Sequence, residues 1–458
     1  MVMKTITKSY TVAAVASFIV LVTYLALFSS VSDLQLIPSL SSTQGMLQQT
    51  WESRTRRVDQ APQEIFFASA TACDRSNTDY DFCSIKGTCS LDQTTGTLAL
   101  VDPTSSMSAP IVEKIRPYPR KADNWVMPRI KELTLTSGPL GHTRSCDITH
   151  DSPAIVFSAG GYTGNIYHDF IDGFIPLFIT ANIFYPDHDF IIVVANPKEW
   201  WMSRYMDVLG AFSKHKTILL KNENAASITH CFTSAVVGLI SHGPMTIDPT
   251  RLLNSKSLVD FHNLLDKAFD TNLSTFKTQK PRLILVSRYG KVGRVILNEE
   301  KIKEMLEDVG FEVIIFRPSK TTSLRDAYNL IKSSHGMVGV HGAALTHLLF
   351  LRPGSVLVQI VPLGLGWVAK TCFESPAKAM KFEYTEYRVS VGESSLVEKY
   401  SKDDLVLKDP IAYRGVGWNA TKMNVYLIEQ DVRLDVNRFR EHMNKAYEKA
   451  KSFMDIDG

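Results

Sequence analysis

The sequence predicts an α/β protein made of two consecutive strand–helix units with a ligand cleft between them, behind one N-terminal membrane span. Three observations carry this expectation. Short apolar runs alternate with amphipathic stretches over 154–269 and again over 282–361, the pattern of parallel strands joined by helices. A polar break at 270–281 separates the two series. Residues 9–32 carry no charge, which suits a bilayer crossing of about 20 apolar residues.

Composition agrees. With 458 residues, 45% hydrophobic and 21% charged, the chain is globular and has room for two domains plus an appendage. A formal charge of +3 is too small for a nucleic-acid partner.

From the N-terminus, residues 1–9 form a tail with Lys4 and Lys8, and 10–31 a signal anchor. The positive flank stays cytoplasmic, so the remainder is luminal. The alternative is a cleaved signal peptide, whose apolar region is shorter, about 7–15 residues. Residues 32–62, rich in Ser, Gln and Thr, read as a stem without a core. Of the six cysteines, Cys73, Cys83, Cys89 and Cys146 cluster at the front of the folded part as disulfide candidates, whereas Cys231 and Cys372 stand apart. A polar front stapled by disulfides fits an oxidising compartment, although the sequence leaves the pairing open. Sequons at Asn272 and Asn419 point the same way.

In the first unit, strands are expected at 154–159, 190–194, 216–220 and 235–239, and helices at 165–183, 200–209 and 258–269. In the second, strands are expected at 282–288, 311–316, 336–340 and 355–361, with helices at 298–309 and 324–332. An amphipathic helix over 433–453 closes the chain.

Two turns carry the candidate chemistry. In the second unit, a buried strand runs into His341-Gly342-Ala343-Ala344 and then a helix start. Small residues there let backbone N–H groups approach a phosphate. Arg288 and Arg294, with Lys291 between them, follow another strand end. They either bind phosphate bidentately or form a solvated basic loop. Glu374 follows a Gly-bearing turn and either accepts from sugar hydroxyls or starts a surface helix. In the first unit, Gly160-Gly161-Tyr162-Thr163-Gly164 leads into Asn165, His168, Asp169 and Asp172. A sugar transfer with inversion needs a base for the acceptor hydroxyl. His168 or Asp169 fits, but adjacent helical residues cannot face the same way. Asn165 and Asp169 could instead cap the helix. The acidic pairs Asp79/Asp81 and Asp187/Asp189 have the spacing of a metal site but read as surface turns. No metal or cofactor is therefore required, and a manganese ion stays open.

The runs GGYTGNIYHDF (160–170), VGVHGAALTHLLFLRPGSVLVQIVPLG (338–364) and FESPAK (373–378), with shorter matches at 115–121 and 402–404, resemble plant-type glycosyltransferase family 61. The resemblance covers most of the chain beyond Cys73. It implies a glycosyltransferase-B-like fold of two Rossmann-like domains. These would be an acceptor-side domain at 63–275, a nucleotide-sugar domain at 276–425 and a C-terminal helix at 426–458 packing back across both. It implies a type II Golgi membrane enzyme moving a pentose, arabinofuranose first, from a UDP-sugar onto xylan with inversion. It also places His341, Gly342 and Ala343 at the donor, Arg288 and Arg294 near the diphosphate, and His168 and Asp169 near the acceptor; beside them, Ala344 and Glu374 are further donor-side candidates and Asn165 and Asp172 acceptor-side ones. A xylosyltransferase, an N-acetylglucosaminyl or other hexosyl enzyme, and a noncatalytic glycan-binding member are the alternatives. Assembly with itself or with other xylan enzymes stays open.

Overall fold

The structure is a computed structural model that describes residues 71–101, 111–137, 145–221, 225–269 and 278–457. The expected tail, anchor and stem, and the Asn272 sequon, lie outside the described residues. Among the described residues no helix is long and apolar enough to cross a membrane.

Two sheets organise the chain. The first holds β1 (Thr71–Asp74), β2 (Phe82–Asp92), β3 (Thr97–Leu100), β4 (Ile111–Ile115), β5 (Leu133–Ser137), β6 (Ile148–Thr149), β7 (Ala154–Ser158), β8 (Ile191–Ala195), β9 (Ile218–Leu219) and β10 (Thr229–Val237). Its order is β4-β5-β3-β2-β10-β7-β8-β9, with β1 on β2 and β6 on β10. Strands β10, β7, β8 and β9 run parallel, as expected. The rest corrects the sequence reading. β2 joins β10 antiparallel with a bulge between Phe232 and Ser234, and β1 and β3 also pair antiparallel with β2. The polar front is thus an extension of the sheet. Its short strands alternate buried and exposed positions too briefly to register as periodic.

The second sheet holds β11 (Arg282–Val286), β12 (Glu312–Phe316), β13 (Gly336–Val340), β14 (Val356–Val361) and β15 (Glu383–Arg388). All pairs are parallel, in the order β12-β11-β13-β14-β15. The longer helices are α1 (Ile175–Phe184), α2 (Glu199–Phe212), α3 (Leu258–Phe269), α4 (Glu299–Val309), α5 (Leu324–Lys332), α6 (Ala420–Leu427) and α7 (Val436–Asp457).

One apolar cluster joins Ile155 and Phe157 of the first sheet, Phe178 of α1, Trp201 of α2, Phe261 of α3 and Tyr328 of α5 to Ile284 and Met337 of the second sheet. Burial of large aromatic side chains stabilises such a layer by about 1.5–3 kcal/mol each. The two sheets therefore share a core. The last helix packs on the second sheet. Phe439, Met443, Ala446 and Ala450 of α7 join Val338, Val356 and Val358, and α7 lies beside α4 on β14 and β15. Its apolar stripe faces the second sheet.

Disulfides link Cys73 to Cys83 and Cys146 to Cys231. The bonded set thus departs from the four front cysteines. Cys89 is a free, buried thiol facing Leu100 and Phe232 across β2, and Cys231 on β10 takes its place.

Candidate functional site

Strand order in the second sheet reverses between β11 and β13, a topological switch point whose crevice lies outside the carboxyl ends of the strands. Arg288 follows β11 there, and His341-Gly342 follows β13. A Cβ on Gly342 would sit 2.6 Å from Arg288 Nη1 and 3.2 Å from Arg294 Nη1. Glycine lets both guanidiniums close over the turn, and a larger residue would push them outward. Arg294 donates from Nη1 to His341 O and from Nε to Leu427 O, each at 2.8 Å. Arg288 donates from Nε to Gly293 O at 3.0 Å. Among the described residues no carboxylate forms a salt bridge with either. Burial, then the neighbouring Arg288, lowers Arg294 from 12.5 to about 9, and burial lowers Arg288 as well. Two partly dehydrated like charges over one turn are the electrostatics of an anion site.

His341 is buried, and its Nδ1 lies 3.0 Å from Gln359 Nε2. Gln359 Oε1 accepts from Tyr384 Oη at 2.8 Å. With the amide donating to Nδ1, Nε2 carries the proton. Burial, then Arg294 and Arg288, pushes the pKa of His341 down to about 3. The imidazole is a neutral hydrogen-bond donor rather than a base. Ala343 and Ala344 open a 3₁₀ helix, Ala343–Phe350, in place of the expected α-helix. His347 Nδ1 bonds the Ala344 carbonyl three residues back. Glu374 ends a π-helical turn, Lys370–Glu374, and its carboxylate pairs with Lys378 at 2.5 Å.

Across from this, β7 runs into the Gly160–Gly161 turn. Gly161 has φ +68, and a Cβ there would sit 2.5 Å from the Tyr118 ring, so only glycine fits. Asn165 is exposed, and its Oδ1 caps the turn Ile166–His168 by accepting from Tyr167 N at 3.1 Å. A π-helical turn, Asp169–Phe174, follows, a distortion that recurs at functional sites.

The two candidate bases separate here. Asp169 is buried and accepts from Tyr205 Oη (2.9 Å), Trp201 Nε1 (3.2 Å) and Gly164 N (3.4 Å). Burial raises its pKa in spite of these donors. It faces the core and ties the turn to α2. His168 faces the other way. Its Nδ1 lies 2.9 Å from Asp172 Oδ2, because residues four apart share a helix face. Asp172 also accepts from Tyr118 Oη and Arg120 Nε, each at 2.8 Å. Burial opposes the Arg120 charge, but Asp172 outweighs it and holds the guanidinium above its ordinary value. Nδ1 also lies 3.2 Å from Arg120 Nη2, which can only donate; in the tautomer whose Nδ1–H goes to Asp172, Nε2 of His168 keeps a free lone pair.

Aromatic contacts join the halves. Tyr167 meets His168 edge-on at 5.6 Å and Phe373 at 5.8 Å, and Phe373 meets His341 at 5.4 Å. The turn bearing His168 packs on the 3₁₀ helix after Gly342. His168 and Asp172 are thus brought together with Arg288, Arg294, His341, Gly342 and Ala343. Asp169 points away, Asn165 is a cap, and Glu374 is paired at the edge.

Tyr118, Arg120, Gln359 and Tyr384 were not singled out as site residues in the sequence. One signal existed. Tyr118 and Arg120 sit in a proline-bracketed run, where successive tight turns close through Tyr118 N to Arg116 O and Arg120 N to Tyr118 O. Among the described residues no group of three or more His, Cys, Asp or Glu side chains is gathered for a metal. Asp81 pairs with Arg75 and Lys121, and Asp189 with His215 and Lys214.

Comparison with known proteins agrees with this arrangement. The glycosyltransferase 61 family model matches residues 166–358, which hold His168, Asp172, both arginines and the His341 turn. A xylan glycosyltransferase of Arabidopsis thaliana is 38% identical over 400 residues, covering 83% of this chain and 79% of its own. An alpha-1,3-arabinosyltransferase of Oryza sativa subsp. japonica is 35% identical over 385 residues, 82% of this chain and 65% of its own. A beta-1,2-xylosyltransferase of the same rice is 36% identical over 342 residues, 73% of this chain and 71% of its own. With a mixed α/β glycosyltransferase fold and relatives of this identity and coverage, the chain is a glycosyltransferase and belongs to family 61.

Proposed function

We propose that the chain transfers a pentose, arabinofuranose first, from a UDP-sugar onto xylan with inversion. The observation that carries this reading is the pair of guanidiniums at the Gly342 turn, with no salt-bridged carboxylate among the described residues, joined to the His168–Asp172 side through Phe373 and Tyr167. Arg288 and Arg294 hold the diphosphate, and the His341 Nε2–H donates to the donor. Nε2 of His168 takes the proton of an acceptor hydroxyl, while Asp172 orients the ring and balances its charge. The acceptor oxygen bonds to the anomeric carbon as the carbon–oxygen bond to phosphate breaks on the opposite face. The electron pair leaves with UDP, whose added charge the arginines offset. The two sheets act as the acceptor and nucleotide-sugar halves of a glycosyltransferase-B-like enzyme. The disulfides support a luminal address behind a Golgi membrane anchor. The rice xylosyltransferase relative favours UDP-xylose as the second donor.

A donor screen tests this. Full-length protein is incubated with UDP-arabinofuranose, UDP-xylose or UDP-N-acetylglucosamine and xylo-oligosaccharides, and product linkages are read. Pentose transfer is expected. Transfer from the hexosamine donor alone, or from none, rejects the reading.

A further inference from the structure

Parallel pairing of β13 and β14 brings their carboxyl ends to one rim of the second sheet. Trp367 stands on that rim, in the turn Gly366–Ala369 that follows β14. Trp418, at the end of the 415–418 loop, meets it edge to face with centroids 6.4 Å apart. Trp418 is 61% exposed and Trp367 39%. The Arg414 guanidinium lies 5.2 Å from the Trp367 ring. Its Nε is buried, so only the terminal Nη groups can meet a ligand, and among the described residues no hydrogen bond or salt bridge holds them. Val416 and Ile411 are also exposed beside it.

Exposed indole surface next to an unengaged guanidinium N–H matches the chemistry of a sugar ring. The C–H face packs on the negative π surface, and a hydroxyl accepts the donor. A wholly apolar partner would leave the N–H unmatched.

We infer that Trp367, Trp418 and Arg414 form a subsite for the polysaccharide acceptor, outside the transfer centre. This rests on the xylan-directed reading above. The helical stretch that begins at Gly366 continues through Phe373, the ring between His341 and Tyr167. Trp367 and Phe373 are six residues apart along it, about 9 Å. A polymer lying along the cleft therefore keeps many sugar rings on the indoles, whereas a short oligosaccharide bound at the centre reaches them only with its end.

The test uses the full chain. Initial rates are measured with W418A and W367A on polymeric xylan and on a xylotetraose. The KM for polymer relative to tetrasaccharide is expected to rise about tenfold. Electrophoresis through a xylan-containing gel, without donor, reads the same loss as reduced retardation. Because this arm needs no transfer, failure of the donor screen is told apart from failure of the subsite. Wild-type retardation in both variants overturns the inference. T421A removes the Asn419 sequon but keeps Asn419 as the helix cap, and unchanged retardation is expected. If xylan retardation appears only in T421A, the chain's own glycan covers the indoles, and the inference is overturned.

Discussion

Replacing Arg294 by methionine separates charge burial from anion binding. The folded pKa of Arg294 is about 9 against an ordinary 12.5, at 9% exposure. The difference, 12.5 − 9 = 3.5, at about 1.4 kcal/mol per pH unit corresponds to about 5 kcal/mol against the charged, ligand-free form. The folded pKa is the lower one, so this cost is complete below pH 9 and fades as pH rises toward 12.5. Methionine removes it but leaves the carbonyls of His341 and Leu427 without their donor, at about 1–3 kcal/mol each. These effects nearly cancel, so the ligand-free melting temperature is expected to move by only a few degrees.

UDP binding behaves differently. Removing one partner of a buried charge pair costs about 2–5 kcal/mol, or about 30-fold to several thousand-fold in Kd. Thermal unfolding with UDP reads this. At 100 times its Kd, UDP stabilises wild type by about 2.7 kcal/mol. At the same concentration R294M gains less than about 1 kcal/mol. R288Q, whose guanidinium bonds only Gly293 and Val292 carbonyls on its own loop, loses the UDP response without the packing risk. Full UDP stabilisation in both variants would refute the anion-site argument.

Three further outcomes are expected. H168A lowers the transfer rate by about 10²–10⁴ with folding intact, whereas D169N lowers stability by about 1–3 kcal/mol and leaves the turnover of folded protein near normal. Single-turnover rates paired with urea unfolding distinguish the two, and the reverse pattern would make Asp169 the base. Burial holds His242 and His341 down at about 3 and His335 and His347 at about 4, all from 6.5. Their folded pKa values are the lower ones, so the unfolded chain takes up protons first and stability falls as pH drops from 6.5 toward 3. Between pH 7 and 5 each contributes up to about 2 kcal/mol. H347Q should flatten a plot of urea midpoint against pH, and an unchanged slope rules out its share. Loop lengths set the disulfide contributions. The Cys146–Cys231 bond closes 85 residues and the Cys73–Cys83 bond closes 10, worth about 5 and about 3 kcal/mol in the chain-entropy view. Paired alanine variants compared by denaturant unfolding should preserve that order.

Much of the framework is legible in the chain. Strand β13 and helices α3 and α5 fall where the apolar periodicity puts them, because burial on both faces of a parallel sheet leaves continuous apolar runs. The donor-side turn is legible for a related reason. Gly342 and its small neighbours are local requirements of a backbone that two arginines approach closely, and local requirements leave local marks. The front strands are not legible in the same way. β1, β3, β4 and β5 are four or five residues each, and β2 pairs with β10 from far along the chain, Asp92 with Thr229.

The sequence by itself determined the α/β class and singled out a small-residue turn and the His168–Asp169 pair as candidates. These depend on residue type and spacing within one or two turns. Only the tertiary structure decided between the two candidates, since adjacent residues differ by which neighbours they meet. Trp201 and Tyr205 on α2 draw Asp169 into the core, while Tyr118 and Arg120, some fifty residues earlier, hold Asp172 against His168. The same holds for the cysteines. Cys89 and Cys231 lie one register position apart on paired strands, and only the fold sets Cys231 beside Cys146 and buries Cys89.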